Sequence, residues 1–265
     1  PMRTHPDASA EDRTRSGAPD HLVAGRNAVL SALTGGREID AVYVAAGERQ
    51  GSLLRICALC RERRIPVKEV APVKLDYLVP GVTHQGVVAS CSPIVYAALD
   101  ELFARAAERG EPPFLVVSDE IEDPHNLGAI IRSAEAAGAH GIVIPKRRGV
   151  QVTPTVLKSA AGACEHVLIA KSDNLNQTLE ALKKRGVWVY GADMDGDVWC
   201  QTDLTGPIAL VIGSEGRGLN RLVKQNCDGV LSLPMRGRTG SLNASVAAGV
   251  LLYEIARQRL GIAAR

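Results

Sequence analysis

The sequence predicts an α/β protein whose C-terminal half is a doubly wound parallel sheet, preceded by a smaller α/β layer. From Phe114 onward, short and nearly continuous apolar runs alternate strictly with helical stretches, as expected for parallel strands buried on both faces. Polar and glycine-rich segments sit where several of those runs end. Upstream, a mixed set of elements of about 70 residues is large enough to fold alone.

Residues 1–20 are polar, charge-mixed and poor in large apolar side chains, which predicts a disordered tail. Residues 21–92 then read as helix 24–33, strand 39–45, helix 52–64, strand 66–70, helix 72–78 and strand 86–90. A helix over 97–109, followed by Gly110 and Pro112-Pro113, makes 93–112 a linker and helix. The last unit, 113–265, has predicted strands at 114–118, 141–144, 167–170, 187–192, 208–212 and 230–233. Helices fill the gaps at 126–138, 154–162, 174–185, 218–226 and 242–259.

Composition narrows the function classes. Hydrophobic residues make up 46% and charged residues 23%, ordinary for a globular chain, and no apolar run approaches a membrane span. Without a signal-peptide core the expected location is cytoplasmic. The formal net charge of +2 gives no global basic field, so a nucleic-acid site must be a local patch. Aromatics at 3% argue against an extended base-stacking platform. Cys57 and Cys60 form a CxxC within a helical stretch, with no second pair at zinc spacing, and read as reduced structural thiols. His125 and His140 lack ligand-spaced partners, so no metal is expected. No GxSxG elbow supports hydrolase chemistry.

Three polar segments remain. Asp123-Pro-His-Asn126 opens a helix whose apolar stripe is Leu127, Ile130, Ile131 and Ala134. At 100° per residue, Arg132 stands roughly 150° from the centre of that stripe and faces away from the core. Asn126 is a candidate cap, and Gly128 and Ala129 are small enough for something to approach the backbone. Gly213-Ser-Glu-Gly-Arg-Gly218 follows a strand directly, where open α/β sheets bind ligands. Its spacing is neither a dinucleotide fingerprint nor a P-loop. Ser241-Leu-Asn243 precedes the last long helix, with Ser241 an ordinary cap candidate. Arg236 and Arg238 just before it, and Lys146-Arg147-Arg148 after another strand, can meet phosphates.

Together, Asp119 to Ala134, Gly213 to Gly218 and Pro234 to Val246 resemble the three motifs of the SpoU (TrmH-type) RNA ribose 2′-O-methyltransferases of the SPOUT superfamily. The likeness spans about residues 114–260. Residues 21–33 and 83–89 resemble the substrate-binding domain of the 23S ribosomal RNA guanosine-2′-O-methyltransferase branch, itself similar to small RNA-binding ribosomal proteins. The resemblance implies S-adenosylmethionine as methyl donor, a trefoil knot in the C-terminal chain and a homodimer. It places Asn126, Arg132, Glu215, Ser241 and Asn243 at catalytic positions. It assigns the donor to Gly191, Ala192, Ile212, Gly213, Glu215, Leu233, Met235, Ser241 and Leu242. Arg26, Lys146, Arg147, Arg148, Arg236 and Arg238 are the expected RNA contacts, and the motif-three loop, Met235 to Ser241, is unusually basic. The implied substrate is a guanosine ribose in 23S ribosomal RNA, free or in an assembly intermediate. The same chemistry on transfer RNA or another ribosomal position, drug-resistance methylation included, and a non-catalytic RNA-binding or assembly role are the competing readings.

Overall fold

The computed structural model describes residues 21–34, 38–47 and 50–263, so the expected N-terminal tail lies outside the described residues. The chain divides into two compact units, Pro1–Ser92 and Pro93–Arg265.

The first unit runs β1 (Leu22–Ala24), α1 (Arg26–Thr34), β2 (Ile39–Ala45), α2 (Ser52–Glu62), β3 (Val67–Val70), α3 (Pro72–Leu78) and β4 (Val87–Cys91). Its sheet order is β1-β4-β2-β3, parallel between β2 and β3 and antiparallel elsewhere. One face packs Val42, Val44 and Val87 under Val29, Leu33, Ile56 and Cys60 from α1 and α2. The other packs Val88 under Leu75 of α3 and Val79 just after it. The short β1 has no counterpart in the sequence expectation, because Leu22–Ala24 is too brief to show alternation. Gly25, at φ +93°, separates it from the helix that the apolar spacing had extended back to Ala24. Cys60 is buried on α2, and burial, then the neighbouring Cys57, pushes its thiol pKa up to about 11.

The second unit begins with α4 (Leu99–Glu108), whose Leu102 is fully buried against Gly141 and the second unit's sheet. Residues 93–112, expected as a linker and helix, therefore fold with the larger unit. Next come β5 (Phe114–Ser118), α5 (Pro124–Ala136), β6 (Gly141–Pro145), α6 (Pro154–Ala160), β7 (Leu168–Ser172) and α7 (Leu175–Lys184). The chain finishes with β8 (Trp188–Val198), β9 (Ile208–Ile212), α8 (Arg221–Asn226), β10 (Gly229–Ser232) and α9 (Ala244–Arg259). The sheet order is β10-β8-β9-β5-β6-β7, with every neighbouring pair parallel. Its two faces carry separate cores, one against α5, α6 and α9 and the other against α4, α7 and α8. This is the doubly wound parallel sheet that the alternation predicts.

One departure shapes the site. The expected strand 187–192 continues as β8 to Val198, and β10 pairs first with Gly191 and then, after a register shift between Val230 and Leu231, with Asp197. Residues 192–196 are thereby left out of that ladder at the carboxyl end of β8. Such an irregularity re-aims side chains at a sheet rim. Among the described residues no helix is long and apolar enough to cross a membrane.

Candidate active site

Four segments converge, at the carboxyl ends of β5, β8 and β9 and between β10 and α9, and each is held by identifiable contacts. The loop after β9 closes on itself: Ser214 N–H donates to Gly218 O (3.0 Å) and Gly218 N–H to Ser214 O (2.9 Å). A Cβ on Gly213 would lie 2.3 Å from the carbonyl carbon of Gly218, so only glycine permits that closure. Beyond it, buried Asp119 at the end of β5 accepts the Asn220 N–H at 2.6 Å. Burial outweighs that hydrogen bond and raises the Asp119 pKa above its ordinary value. Asn220 in turn caps α8 through Leu222 N–H. On the β10 side, Ser232 Oγ donates to Gly196 O at 2.8 Å and fixes the end of the β8 irregularity.

The segments after β8, β9 and β10, with the start of α9, line a cavity of about 350 Å³. Its walls include Ala192, Ile212, Gly213, Glu215, Leu233, Met235, Ser241 and Leu242, all expected at a donor site. Gly191 is outside the wall and serves packing, since a Cβ there would meet Leu219 at 2.5 Å. The sequence reading missed Asp193 and Met194, which the β8 irregularity carries into the wall, and Ala244, Ala247 and Leu251 of α9. Asp193 follows the carboxyl end of the predicted strand, the signal that could have found it. Lys224 Nζ bridges Asp193 (2.9 Å) and Asp195 (2.6 Å), which raises the lysine pKa and lowers that of Asp195, the Asp195 contact dominating.

Beside the cavity, the three polar segments join in one hydrogen-bonded knot of side chains. Asn243 caps α9, its Oδ1 accepting from Ser245 N–H (3.0 Å), Ser245 Oγ (2.6 Å) and Val246 N–H (3.3 Å). That assignment fixes the amide orientation, because only an oxygen can accept backbone N–H groups. Asn243 Nδ2 consequently donates to Asn126 Oδ1 at 2.9 Å, and Asn126 Nδ2 donates to Glu215 Oε2 at 3.0 Å. Both Glu215 oxygens also lie 3.4 Å from Asn243 Nδ2. One residue from each segment takes part.

Several expectations change here. Ser241 does not cap α9; it is exposed on the cavity rim, and Asn243, two residues nearer the helix, reaches the free N–H groups. Asn126 does not cap α5, because Asp123 Oδ1 accepts the His125 N–H at 2.8 Å and Pro124 takes the first helical position. Gly128 admits no ligand: a Cβ there would sit 2.4 Å from Ser159 Cβ, so the close approach is that of α6. Arg132 is exposed on α5, away from the core as its spacing predicts, and makes no hydrogen bond or ion pair with the described residues. It does not line the cavity.

The expected RNA contacts are scattered. Arg236 and Arg238 are exposed on the loop after Leu233, beside the cavity. Lys146 lies 3.4 Å from Asp173, Arg147 is exposed, and Arg148 extends to 3.8 Å from Glu120. Arg26 belongs to the first unit, where its Nε donates to Gln85 O at 3.1 Å. Among the described residues no three His, Cys, Asp or Glu side chains converge as a metal site.

Comparison with known proteins accords with this geometry. Residues 113–253 match the SpoU rRNA Methylase family, and residues 22–97 match the family of RNA 2′-O ribose methyltransferase substrate-binding domains. A Bacillus subtilis (strain 168) protein bearing a TrmH family tRNA/rRNA methyltransferase name, YacO, is 48% identical over 238 residues, 89% of this chain and 95% of its own. The structure of the SpoU methyltransferase AviRb from Streptomyces viridochromogenes in complex with AdoMet superposes with a TM-score of 0.58 at 29% identity, covering 91% of this chain and 90% of that one. AdoMet-bound rRNA methyltransferase from Sinorhizobium meliloti gives 0.55 at 26% identity, over 91% and 87%. The glycine-closed cavity, with its mixed apolar and polar wall, suits an adenosyl and a methionyl group. The chain thus belongs to the SpoU (TrmH) family of S-adenosylmethionine-dependent RNA 2′-O-ribose methyltransferases.

Proposed function

We propose that this enzyme methylates a guanosine ribose in 23S ribosomal RNA, and that Asn126, Arg132, Glu215, Ser241 and Asn243 carry the reaction. The observation supporting these residues as one site is the Asn243–Asn126–Glu215 chain at the cavity lip. The match of residues 22–97 to a substrate-binding domain supports a ribosomal target, since the A. aeolicus TrmH/SpoU tRNA modifying enzyme aligns with only 62% of this chain.

The donor, when bound, presents an electrophilic methyl on a sulfonium. A ribose 2′-hydroxyl is a weak nucleophile, so its proton must leave as oxygen attacks. A guanidinium has no lone pair free to take that proton, so Arg132 is not given the role of base. Its guanidinium instead clamps the adjoining phosphate and stabilises the developing oxyanion, and the proton passes to solvent. Asn126 and Glu215 hold the motif-two loop against the start of α5. Asn243 ties the motif-three loop to both, and Ser241 on the rim orients the donor. Gly213, Ile212, Ala192, Leu233, Met235 and Leu242 form the donor's walls. Arg236, Arg238 and the Lys146–Arg148 loop meet RNA phosphates. The buried face of α9 packs against α5, while Val246, Val250 and Tyr253 make an exposed apolar stripe at helical spacing on the same helix, which we read as a homodimer face.

The test is transfer of labelled methyl from S-adenosylmethionine to ribosomal RNA from a strain lacking the gene, with the product mapped by alkali-resistant linkages. Label at a 23S guanosine ribose is expected. Label on a base, or on transfer RNA alone, overturns the assignment.

A further inference from the structure

The first unit carries an aromatic surface that the methyl-transfer site does not use. In α3, Leu75 is fully buried and the following Val79 closes the same face, while Val73 and Tyr77, four residues apart, stand on another face at 72% and 84% exposure. Tyr77 is the most exposed aromatic side chain among the described residues, in a chain with few aromatics. Lys74 is exposed between them.

The neighbouring loop is rigidly held. His84 Nδ1 accepts the Gly86 N–H at 3.0 Å, so its proton resides on Nε2, which donates to Asp76 Oδ1 at 3.0 Å. Asp76 is the residue before Tyr77. On the loop's other side, Gln85 O accepts from Arg26 Nε and Gln85 Oε1 accepts from Arg26 N–H, both at 3.1 Å. The terminal guanidinium nitrogens of Arg26 make no hydrogen bond with the described residues. A hydrogen-bonded path therefore runs from the Arg26 fork through the loop to the residue beside Tyr77.

We propose that this surface binds an unpaired nucleotide of the RNA substrate. The base stacks on the Tyr77 ring, with Val73 as apolar support, and Lys74 and Arg26 take the flanking phosphates. The chemistry favours RNA over an apolar protein segment, because the apolar step is a single aromatic with one aliphatic neighbour, Lys74 stands exposed on the same helix, the Asp76 carboxylate is engaged by His84, and Arg26 lies across the 84–85 loop. A base needs one π-face and adjoining positive charge, and a fixed loop lowers the ordering cost. The proposal rests on the RNA-methyltransferase reading and names where its substrate is gripped.

The test uses the full chain and a fluorescein-labelled RNA hairpin with a mixed-sequence single-stranded loop, compared with the same RNA annealed to its full complement. Tyr77→Ala should weaken hairpin binding roughly 5- to 100-fold and leave duplex binding unchanged. Tyr77→Phe should restore it, and Lys74→Ala should weaken both RNAs while lowering the salt slope by about one. Calorimetric donor binding should match wild type in all three. Equal loss on both RNAs, no loss with Tyr77→Ala, or a change only in sedimentation mass would overturn the proposal. Wild type that transfers methyl to ribose while Tyr77→Ala keeps full hairpin affinity sinks this surface alone. Wild type that transfers no methyl to any RNA sinks the functional reading itself.

Discussion

Replacing Asn126 by Asp puts a carboxylate oxygen where Nδ2 stands, 3.0 Å from Glu215 Oε2. At an effective dielectric near 20, two unit charges at that distance repel by about 5.5 kcal/mol. Glu215 is exposed, so solvent screening reduces this to roughly 1–3 kcal/mol. The like charges therefore raise one apparent pKa of the new pair above the ordinary carboxylate range. The native state then holds a proton that the unfolded state has lost. Stability relative to wild type declines as pH rises from the unfolded value near 4 to the raised value, and stays low above it. Thermal unfolding of wild type and Asn126→Asp from about pH 4 to pH 8 reads the difference, and the gap in Tm should widen with pH and then level off. The protonated pair restores a donor to Glu215, so residual methyl transfer should be largest at the acidic end. Parallel Tm profiles for the two proteins, with full activity at pH 8, would refute the contact as the feature that joins the site.

Asn243→Ser keeps a capping oxygen but removes Nδ2, whereas Asn243→Ala removes both. Both variants take the donor away from Asn126 Oδ1 and should lose about 1–3 kcal/mol in thermal melts, the alanine variant losing about 1 kcal/mol more with its cap, while methyl transfer collapses in both. Gly213→Ala forces a Cβ against the Gly218 and Leu219 backbone, and calorimetry should show donor affinity down at least about tenfold. Gly216→Ala, with φ +82° but open space around it, should cost only about 1 kcal/mol in stability and little in affinity. Arg132→Ala should nearly abolish turnover without changing donor binding, and Arg132→Lys activity near wild type would argue against a planar fork. His140 is fully buried, its Nδ1 accepting from Phe114 N–H and its Nε2 donating to Glu111, and burial lowers its pKa. Its stabilising contribution is complete above the unfolded value near 6.5 and is lost as pH falls through the lowered folded value. His140→Gln should flatten that part of a Tm-versus-pH profile.

The fold was legible wherever apolar spacing and local chemistry decide it. Phe114–Ser118 and Ile208–Ile212 are continuous apolar runs, and Asp123-Pro124 starts α5 by local capping alone. Legibility failed where a partner distant in sequence makes the decision. The end of β8 depends on which of its residues β10 chooses, and a hydropathy run cannot show a jump in pairing from Gly191 to Asp197. The motifs identified Asn126, Glu215 and Asn243, but not their geometry. Ser241 and Asn243 are both good capping types, and only the approach of Asn126 from α5 explains why the amide, with a donor to spare, occupies the cap. Gly128 illustrates the converse error, since smallness within a motif suggested a ligand and proved to serve helix packing.

The cap and the site are therefore one structural unit. Residues 234–242 are exposed around the cavity, and contacts at the ends of this segment fix its course: Ser232 to the β8 irregularity on one side, Asn243 to α9, Asn126 and Glu215 on the other. A loop held at its ends can vary its middle at little cost in stability, and Arg236 and Arg238 stand exposed on that middle. The ends cannot vary so freely. Any residue at 243 must satisfy the first N–H groups of α9 and also offer a donor to Asn126, and an unsatisfied buried Asn126 costs about 1–3 kcal/mol. Asparagine alone combines a short capping oxygen with an opposed N–H pair. The requirement that fixes Asn243 is a joint demand of helix termination and site assembly.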